Sequence, residues 1–201
     1  MIRPHSENFH YSRDDFDQMK STLESLKRLG ADGFVFGILM HPEARTQDTA
    51  AWVDIERNKE LVALADGRPC TFHRAFDCIP EQHWDTALAA VEECGFRSIL
   101  TSGGPSGSKA TDCIDKLSSL HQGFLGGIQT HQAHQALDII IGGGVRSTNI
   151  QSLWEQTPAQ TFHSSALLPG SEEVSEEEVT RLKEALKNCA LLQEGGPQCL
   201  R

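Results

Sequence analysis

The stretch Cys70-Thr-Phe-His-Arg-Ala-Phe-Asp77 begins with apolar residues and ends in groups that ionise or bind anions. Segments of the same form, apolar first and then polar or glycine-rich, occur at 1–4, 32–39, 97–104, 137–144 and 161–166. Short apolar runs of this kind are typical of parallel strands covered by helices. Because the carboxyl ends of parallel strands form the ligand site in α/β folds, the polar ends of these segments predict where the chemistry lies.

Helices are predicted between these strands, at 14–29, 48–65, 82–94, 109–121, 147–156 and 175–189. Ser147 is expected to cap the fifth helix, and Ser175 with Glu178 matches the capping-box pattern at the sixth. Strands that alternate with helices favour right-handed βαβ crossovers, and units of roughly 25–40 residues suit a barrel. The sequence thus predicts an α/β fold in one domain, 1–193, followed by a disordered tail at 194–201.

The composition excludes several classes of protein. The chain has 201 residues, of which 38% are hydrophobic, which is enough for one packed domain. A net charge of −10 argues against a nucleic-acid surface, which needs a basic stripe. There is no apolar run of about 18 residues, so no membrane partner is expected. The first residues lack the apolar core of a signal peptide, and the cysteines form no CxxC pair. We therefore expect a cytoplasmic protein with free thiols.

A set of ordered motifs extends from the first residues to Ala166. They are Met1-Ile-Arg-Pro4 with Phe9 and Tyr11-Ser12, Gly30-Ala-Asp-Gly-Phe-Val-Phe-Gly37, Thr71-Phe-His-Arg-Ala-Phe-Asp77, Leu100-Thr-Ser-Gly103, Gly142-Gly-Gly-Val145 and Phe162-His-Ser-Ser-Ala166. Together they resemble the CutC copper homeostasis family. The resemblance implies a TIM-type barrel, a part in copper tolerance, Cu(I) as the bound ion and assembly into homo-oligomers.

The chain departs from the CutC pattern in two places. Family members carry two more βα units ahead of the segment that resembles Met1–Pro4, and the resemblance places there a pair of cysteines proposed as Cu(I) ligands. It therefore implies an N-terminally truncated member, an incomplete TIM-type (β/α) barrel with about six parallel strands and outer helices. Segment 1–4 is then expected to be an exposed edge strand. The family's Arg-Pro-Arg-Gly-Gly-Asp-Phe run is also replaced here, by Arg3-Pro-His-Ser-Glu-Asn-Phe9.

Three residues at predicted strand ends are candidates for catalysis: His73, Arg3 and Asp77. In the strand predicted for this stretch, His73 alternates with Thr71, Ala75 and Asp77 on one face and Arg74 lies on the other. His73 then acts as a general acid or base near pH 7 or as a soft-metal ligand, or else it is a hydrogen-bonded interior histidine. Arg3 binds a substrate carboxylate or phosphate, or else it pairs with an interior acid.

Glycines and hydroxyl groups close the last three predicted strands. Backbone N–H groups beside glycine, together with serine hydroxyls, suit phosphate or another oxyanion, as in the last two βα loops of TIM barrels. The alternative is that the glycines only form tight turns. The predicted anion-binding residues are Thr101, Ser102, Gly103, Gly142, Gly143, Gly144, His163, Ser164 and Ser165.

The residues alone do not identify a metal site, and copper follows only from the resemblance. The weak candidates are pairs of histidines or cysteines: His131 with His134, His5 with His10, and Cys189 with Cys199. Three functions remain open. They are a copper homeostasis protein that binds Cu(I), a phosphate-binding TIM-barrel enzyme acting on a small anionic metabolite, and an inactive truncated relative. The expected partner is a copper ion or a small anionic ligand.

Overall fold

The computed structural model describes residues 1–44, 52–126, 137–168 and 170–194. The chain divides into two compact units, the first formed by Met1–Thr101 with Gly127–Ile139 and the second by Ser102–Gly126 with Ile140–Arg201. Strands and helices alternate in both units, as the sequence predicts. The prediction of one domain over 1–193 stays a prediction.

Three strands of the first unit are held together by an aromatic core. The helices and strands of the first unit are α1 (Arg13–Arg28), β1 (Phe34–Phe36), α2 (Ile55–Leu64), β2 (Cys70–Phe72), α3 (Trp84–Glu93) and β3 (Ser98–Thr101). β1, β2 and β3 are parallel neighbours. The Phe96 ring lies 5.1 Å from the ring of Phe36 and 5.3 Å from that of Phe72, between ring centroids. Phe36 and Phe72 are also register partners, so the carboxyl ends of β1 and β2 lie side by side.

The fourth strand belongs to both units. β4 (Asp138–Ile141) begins in the first unit, where the Asp138 N–H donates to the Arg97 carbonyl at 2.9 Å. In the second unit its Ile140 aligns with Thr161 of β5 (Thr161–Phe162). The strands therefore follow the order β1-β2-β3-β4-β5, which confirms the predicted α/β class with a parallel sheet.

Segment 1–4 was expected to form a further strand. Among the described residues five strands are assigned, and segment 1–4 is not one of them. It nevertheless makes a strand-like contact, because the Ile2 N–H donates to the Val35 carbonyl of β1 at 2.8 Å.

Helices surround an aliphatic core in the second unit. α4 (Ile114–Gly126), α5 (Ile150–Gln156) and α6 (Glu176–Glu194) follow in chain order, and α5 packs against both others. The buried residues of this core are Ala110, Leu117, Ile141, Val145, Ile150, Leu153, Ala159, Ala166 and Leu182. Glu194, the first residue of the predicted tail, ends α6, and 195–201 lie outside the described residues.

Two helices, α2 and α4, begin at least five residues later than the sequence predicts. α2 begins after Asp54, whose carboxylate accepts the Arg57 N–H at 3.0 Å; Val53 ahead of it pairs with Leu39 in a β-bridge. Residues 48–51, at the predicted start of this helix, lie outside the described residues. α4 begins at Ile114 because a separate 3-10 turn, Ala110–Asp112, precedes it.

The predicted cap of α5 at Ser147 is wrong, since α5 begins only at Ile150. The Ser147 N–H and hydroxyl instead donate to the Glu178 carboxylate, at 2.7 and 2.8 Å. Only half of the predicted capping box at α6 forms. The Glu178 N–H donates to Ser175 Oγ at 3.2 Å, but the Glu178 carboxylate accepts hydrogen bonds from Ser147 and not from the Ser175 N–H. A contact between distant segments therefore replaces the predicted cap at Ser147 and the Glu178 half of the capping box, and these hydrogen bonds lower the pKa of Glu178.

Candidate functional site

The stretch that defines the fold changes direction at His73. β2 ends at Phe72, and Arg74–Cys78 forms a 3-10 turn. The predicted continuation of the strand to Asp77 is therefore wrong, and so is the assignment of faces based on it. Because the chain turns, Phe76 is buried at 0% exposure and Asp77 at 3%. The turn is favoured by the His73 ring, whose Nδ1 accepts the Ala75 N–H at 3.3 Å.

Asp77 connects this turn to β3. Its carboxylate accepts hydrogen bonds from Arg74 Nε at 2.7 Å and from Thr101 Oγ1 at 2.5 Å. Thr101 has no exposed surface. A buried carboxylate is stable when it is paired and hydrogen-bonded in this way. Asp77 thus fixes the end of β3 beside the turn, and its predicted role in catalysis stays a prediction.

The imidazole of His73 is buried, at 2% exposure, and lies against aromatic rings and backbone. Its centroid is 4.8 Å from that of Phe9. A side chain at Gly37 could not share this space, since its Cβ would lie 3.0 Å from His73 Nδ1 and 2.9 Å from the Phe72 ring. Glycine at 37 is therefore required for the ring to pack at the end of β1.

One nitrogen of this ring has no partner. Because Nδ1 accepts a hydrogen bond from Ala75, the neutral ring carries its proton on Nε2. Nε2 is buried and makes no hydrogen bond within the described structure. Burial, reinforced by the Arg3 guanidinium, lowers the pKa of His73 to about 3. At pH 7 the His73 ring is then neutral and acts as a hydrogen-bond donor. The sequence predicts instead a general acid or base, a group that gains and loses a proton near pH 7.

Arg3 lies beside the same rings. Its guanidinium carbon is 4.5 Å from the centroid of Phe9, and one of its nitrogens donates to the Ser6 carbonyl at 2.7 Å. Among the described residues no carboxylate forms an ion pair with Arg3. The alternative that Arg3 pairs with an interior acid therefore finds no support in this part of the chain.

Tyr11 completes the arrangement and was not predicted from the sequence. It is 6% exposed, and its hydroxyl is buried with no hydrogen-bond partner in the described structure. Burial raises the pKa of Tyr11, while the nearby Arg3 guanidinium opposes that rise although no well-formed hydrogen bond joins them. We call Arg3, Phe9, Tyr11 and His73 the Arg3 pocket. This group combines the exposed Arg3 guanidinium with two buried polar atoms, Tyr11 Oη and His73 Nε2, that lack a hydrogen-bond partner in the described structure.

Ser102 and Gly103 follow β3 and belong to the second unit. Ser102 has no exposed surface, and its hydroxyl donates to the Gly104 carbonyl at 3.4 Å. Gly103 has a φ of +74°, and a Cβ there would lie 2.6 Å from Leu117 Cγ. The backbone conformation and the contact with α4 both require glycine, so packing alone accounts for Gly103.

The predicted anion residues after β4 and β5 lie around Arg146. Its guanidinium donates to the carbonyls of Val145 and Leu167, at 2.7 and 2.8 Å, and to the hydroxyls of Ser164 and Ser165, at 3.2 and 3.4 Å. The Ser164 hydroxyl itself donates to the Val145 carbonyl at 2.6 Å. These groups satisfy one another and join the two loops, which favours a structural role.

The other predicted anion-binding residues of the second unit also have backbone groups that form hydrogen bonds within this unit. The Gly143 carbonyl accepts the Ala110 N–H at 2.9 Å, and the Gly144 carbonyl accepts Asn149 Nδ2 at 2.9 Å. The His163 N–H continues the β5 pairing by donating to the Ile141 carbonyl at 2.8 Å. Binding of an anion by Gly142, Gly143, Gly144, His163, Ser164 and Ser165 stays a prediction.

The described donor groups do not fit Cu(I). No cluster of three or more His, Cys, Asp or Glu side chains suited to a metal occurs in the described part of the chain. Cu(I) prefers thiolates, but burial raises the pKa of Cys70 to about 11 and that of Cys94 to about 12. Of the weak candidates, His131, His134 and Cys199 lie outside the described residues. His5 packs on the Tyr11 ring, and the His10 ring contacts the Leu39 carbonyl.

A parallel succession of strands and helices, with polar groups at the strand ends, defines an α/β protein of the TIM-barrel type. Within the described residues, no helix has the length and apolar character needed to cross a membrane. The chain belongs to the CutC family, whose sequence model matches residues 1–168.

Curated relatives agree with this assignment. A CutC family protein from Streptococcus pyogenes is 30% identical over 168 residues, covering 84% of this chain and 72% of that protein. The copper homeostasis protein cutC homologs of Caenorhabditis elegans and Homo sapiens are 32% and 34% identical, each covering 83% of this chain. This chain spans only 58% and 53% of those two proteins.

A solved structure agrees as well. The CutC copper homeostasis protein of Streptococcus agalactiae superposes with a TM-score of 0.67 at 26% identity, covering 81% of this chain and 69% of that one. The TIM-type fold predicted from the sequence is therefore confirmed.

Proposed function

We propose that this chain takes part in copper homeostasis. The match of the CutC family model to residues 1–168 carries this proposal, because curated relatives over the same region are named as copper homeostasis proteins. A cytoplasmic location and a homo-oligomeric assembly, expected from the sequence and the resemblance, belong to the same proposal.

We further propose that the chain binds Cu(I) only weakly. Burial raises the pKa of the Cys70, Cys94 and Cys189 thiols, which disfavours the thiolate that Cu(I) prefers, and none of the described cysteines is part of a metal-binding cluster. In a competition titration against a Cu(I) chelator, this chain should bind less Cu(I) than the Streptococcus pyogenes relative. A tight single site that survives Cys70→Ser together with Cys78→Ser would contradict the proposal.

A second function is favoured by the Arg3 pocket, namely the binding of a small anion. The observation that carries it is a guanidinium with no acidic partner among the described residues, beside two buried polar atoms that lack hydrogen bonds. Buried polar atoms rarely remain unpaired in proteins, and an anion bound at the exposed Arg3 side chain would give both of these atoms a partner. If the chain is an enzyme acting on a small anionic metabolite, His73 would donate its Nε2 proton in a hydrogen bond to the substrate, as a neutral imidazole.

Thermal unfolding in phosphate tests the anion site. Phosphate should raise the Tm of the wild type, because a ligand that binds only the folded state adds stability, about 2.7 kcal/mol at a hundredfold excess over Kd. Arg3→Ala should abolish the shift. Arg13→Ala removes the same charge from an exposed position on α1 and should retain it. An equal shift in Arg3→Ala, or none in the wild type, would contradict anion binding in the pocket.

A further inference from the structure

Asn58, in the first turn of α2, is a polar residue with no exposed surface. Its Oδ1 accepts the Ile38 N–H at 3.1 Å, and its Nδ2 donates to the Ile38 carbonyl at 2.9 Å. Nδ2 also donates to the Asp54 carbonyl at 2.7 Å, which ties the amide to its own helix. The side chain of Asn58 therefore binds both backbone groups of Ile38, as a residue of a neighbouring antiparallel strand would, two residues after the end of β1.

The residues on either side of Ile38 lead to the His73 ring. After it, the Leu39 N–H donates to the Phe9 carbonyl at 2.9 Å, and the Phe9 ring packs edge-on against the His73 ring, 4.8 Å away between centroids. Before it lies Gly37, where an added Cβ would be 3.0 Å from His73 Nδ1. The position of the Ile38 backbone thus determines how closely two neighbouring groups cover the imidazole.

We propose that Asn58 is a positioning residue of the Arg3 pocket, which holds the Phe9 ring against His73 through the backbone of Ile38 and Leu39. This inference rests on the proposed anion site, in which His73 is a hydrogen-bond donor, and identifies what keeps that donor covered until an anion binds. Nε2 of His73 is buried without a hydrogen-bond partner in the described structure, so its proton exchanges with water only when this cover opens.

Hydrogen exchange of the His73 Nε2 proton, followed by nitrogen NMR of the full chain at pH 7, tests this role. Asn58→Ala should speed the exchange about tenfold, because it removes hydrogen bonds that hold Ile38 in place. Leu61→Ala is the control, since it removes a fully buried side chain from the same helix but keeps the Asn58 amide. In each variant the exchange of the Ile99 N–H, in the buried strand β3, reports global unfolding. Only Asn58→Ala should speed exchange at His73 relative to Ile99.

Phe9→Leu tests the route by which Asn58 acts. Phe9 is only partly buried, and its replacement leaves the hydrogen bonds of Asn58 intact. Exchange at His73 should again be faster, because the ring that covers it is gone. Adding Asn58→Ala to Phe9→Leu should then speed the exchange little further, since two residues that act along one path are not additive.

The outcomes are distinct from those of the anion experiment. An equal effect of Asn58→Ala and Leu61→Ala on His73 relative to Ile99 would show that Asn58 only packs α2, and would overturn the proposal. Unchanged exchange in Phe9→Leu would overturn it too, even if Asn58→Ala fails to fold, as would a full second acceleration in the double variant. No anion is present in these measurements, so a failure of phosphate to raise the wild-type Tm overturns the anion site and not the positioning of His73.

Discussion

Asp77→Ala is expected to lower the free energy of unfolding by about 3 kcal/mol. Asp77 is 3% exposed and accepts hydrogen bonds from the Arg74 guanidinium and from the fully buried Thr101 hydroxyl. Removing a buried carboxylate takes away the partner of both donors, and such changes are among the more destabilising in proteins. Arg74 is 33% exposed at its side chain, so water recovers part of its loss and the lower end of the usual range applies.

Urea denaturation measures this change, and α1 provides a matched control. Asp17 also pairs with a cation three residues away, Lys20 at 2.9 Å, but its side chain is 58% exposed. Asp17→Ala should leave the midpoint of unfolding almost unchanged, because exposed ion pairs contribute little. If the two variants unfold at the same urea concentration, Asp77 does not have the structural role described for it.

Stability should fall in acid because of His73. Its pKa is about 3 in the folded protein, against about 6.5 in an unfolded chain. As the pH falls below 6.5, the unfolded chain therefore binds a proton that the folded chain does not bind until about pH 3, and stability decreases across that window. Between pH 7 and pH 5 this single group should lower the free energy of unfolding by about 2 kcal/mol.

The measurement compares the pH dependence of urea unfolding in wild type and His73→Gln. The variant should lose about 2 kcal/mol less than wild type between pH 7 and pH 5, since glutamine does not titrate. His41→Gln replaces an exposed histidine, 58% exposed at its side chain, and should keep the wild-type dependence. Parallel curves for wild type and His73→Gln would mean that His73 is not held neutral by burial.

The sequence predicts the strands well because their apolar runs are local and continuous. β2 begins at Cys70, and the polar residues after it do lie at the end of a parallel strand, as expected. The sequence could not show that the chain turns at His73, because that turn depends on a ring nitrogen accepting a backbone N–H. The alternation of faces that holds in a strand therefore does not extend beyond Phe72.

The candidate site was only partly predictable for a related reason. Arg3 and His73 are recognisable as chemical groups, but the burial of Tyr11 comes from packing between segments distant in sequence. The same holds for Ser147 and Glu178, 31 residues apart, whose hydrogen bond replaces the cap predicted at Ser147 and the Glu178 half of the predicted capping box. Gly37 offered a signal, a glycine at the end of an apolar run, but only the structure shows which ring occupies the space beside it.

We propose that a neutral His73, beside Arg3 and Tyr11, donates a hydrogen bond from Nε2 to a bound anion. Nitrogen NMR of the histidine rings measures this, since the shifts of the two ring nitrogens report both protonation and tautomer. We expect a neutral His73 with its proton on Nε2 at pH 7, and a shift of that nitrogen on adding acetate that is absent in Arg3→Ala. A charged ring at pH 7, or an Nε2 signal indifferent to saturating acetate and phosphate, would contradict it.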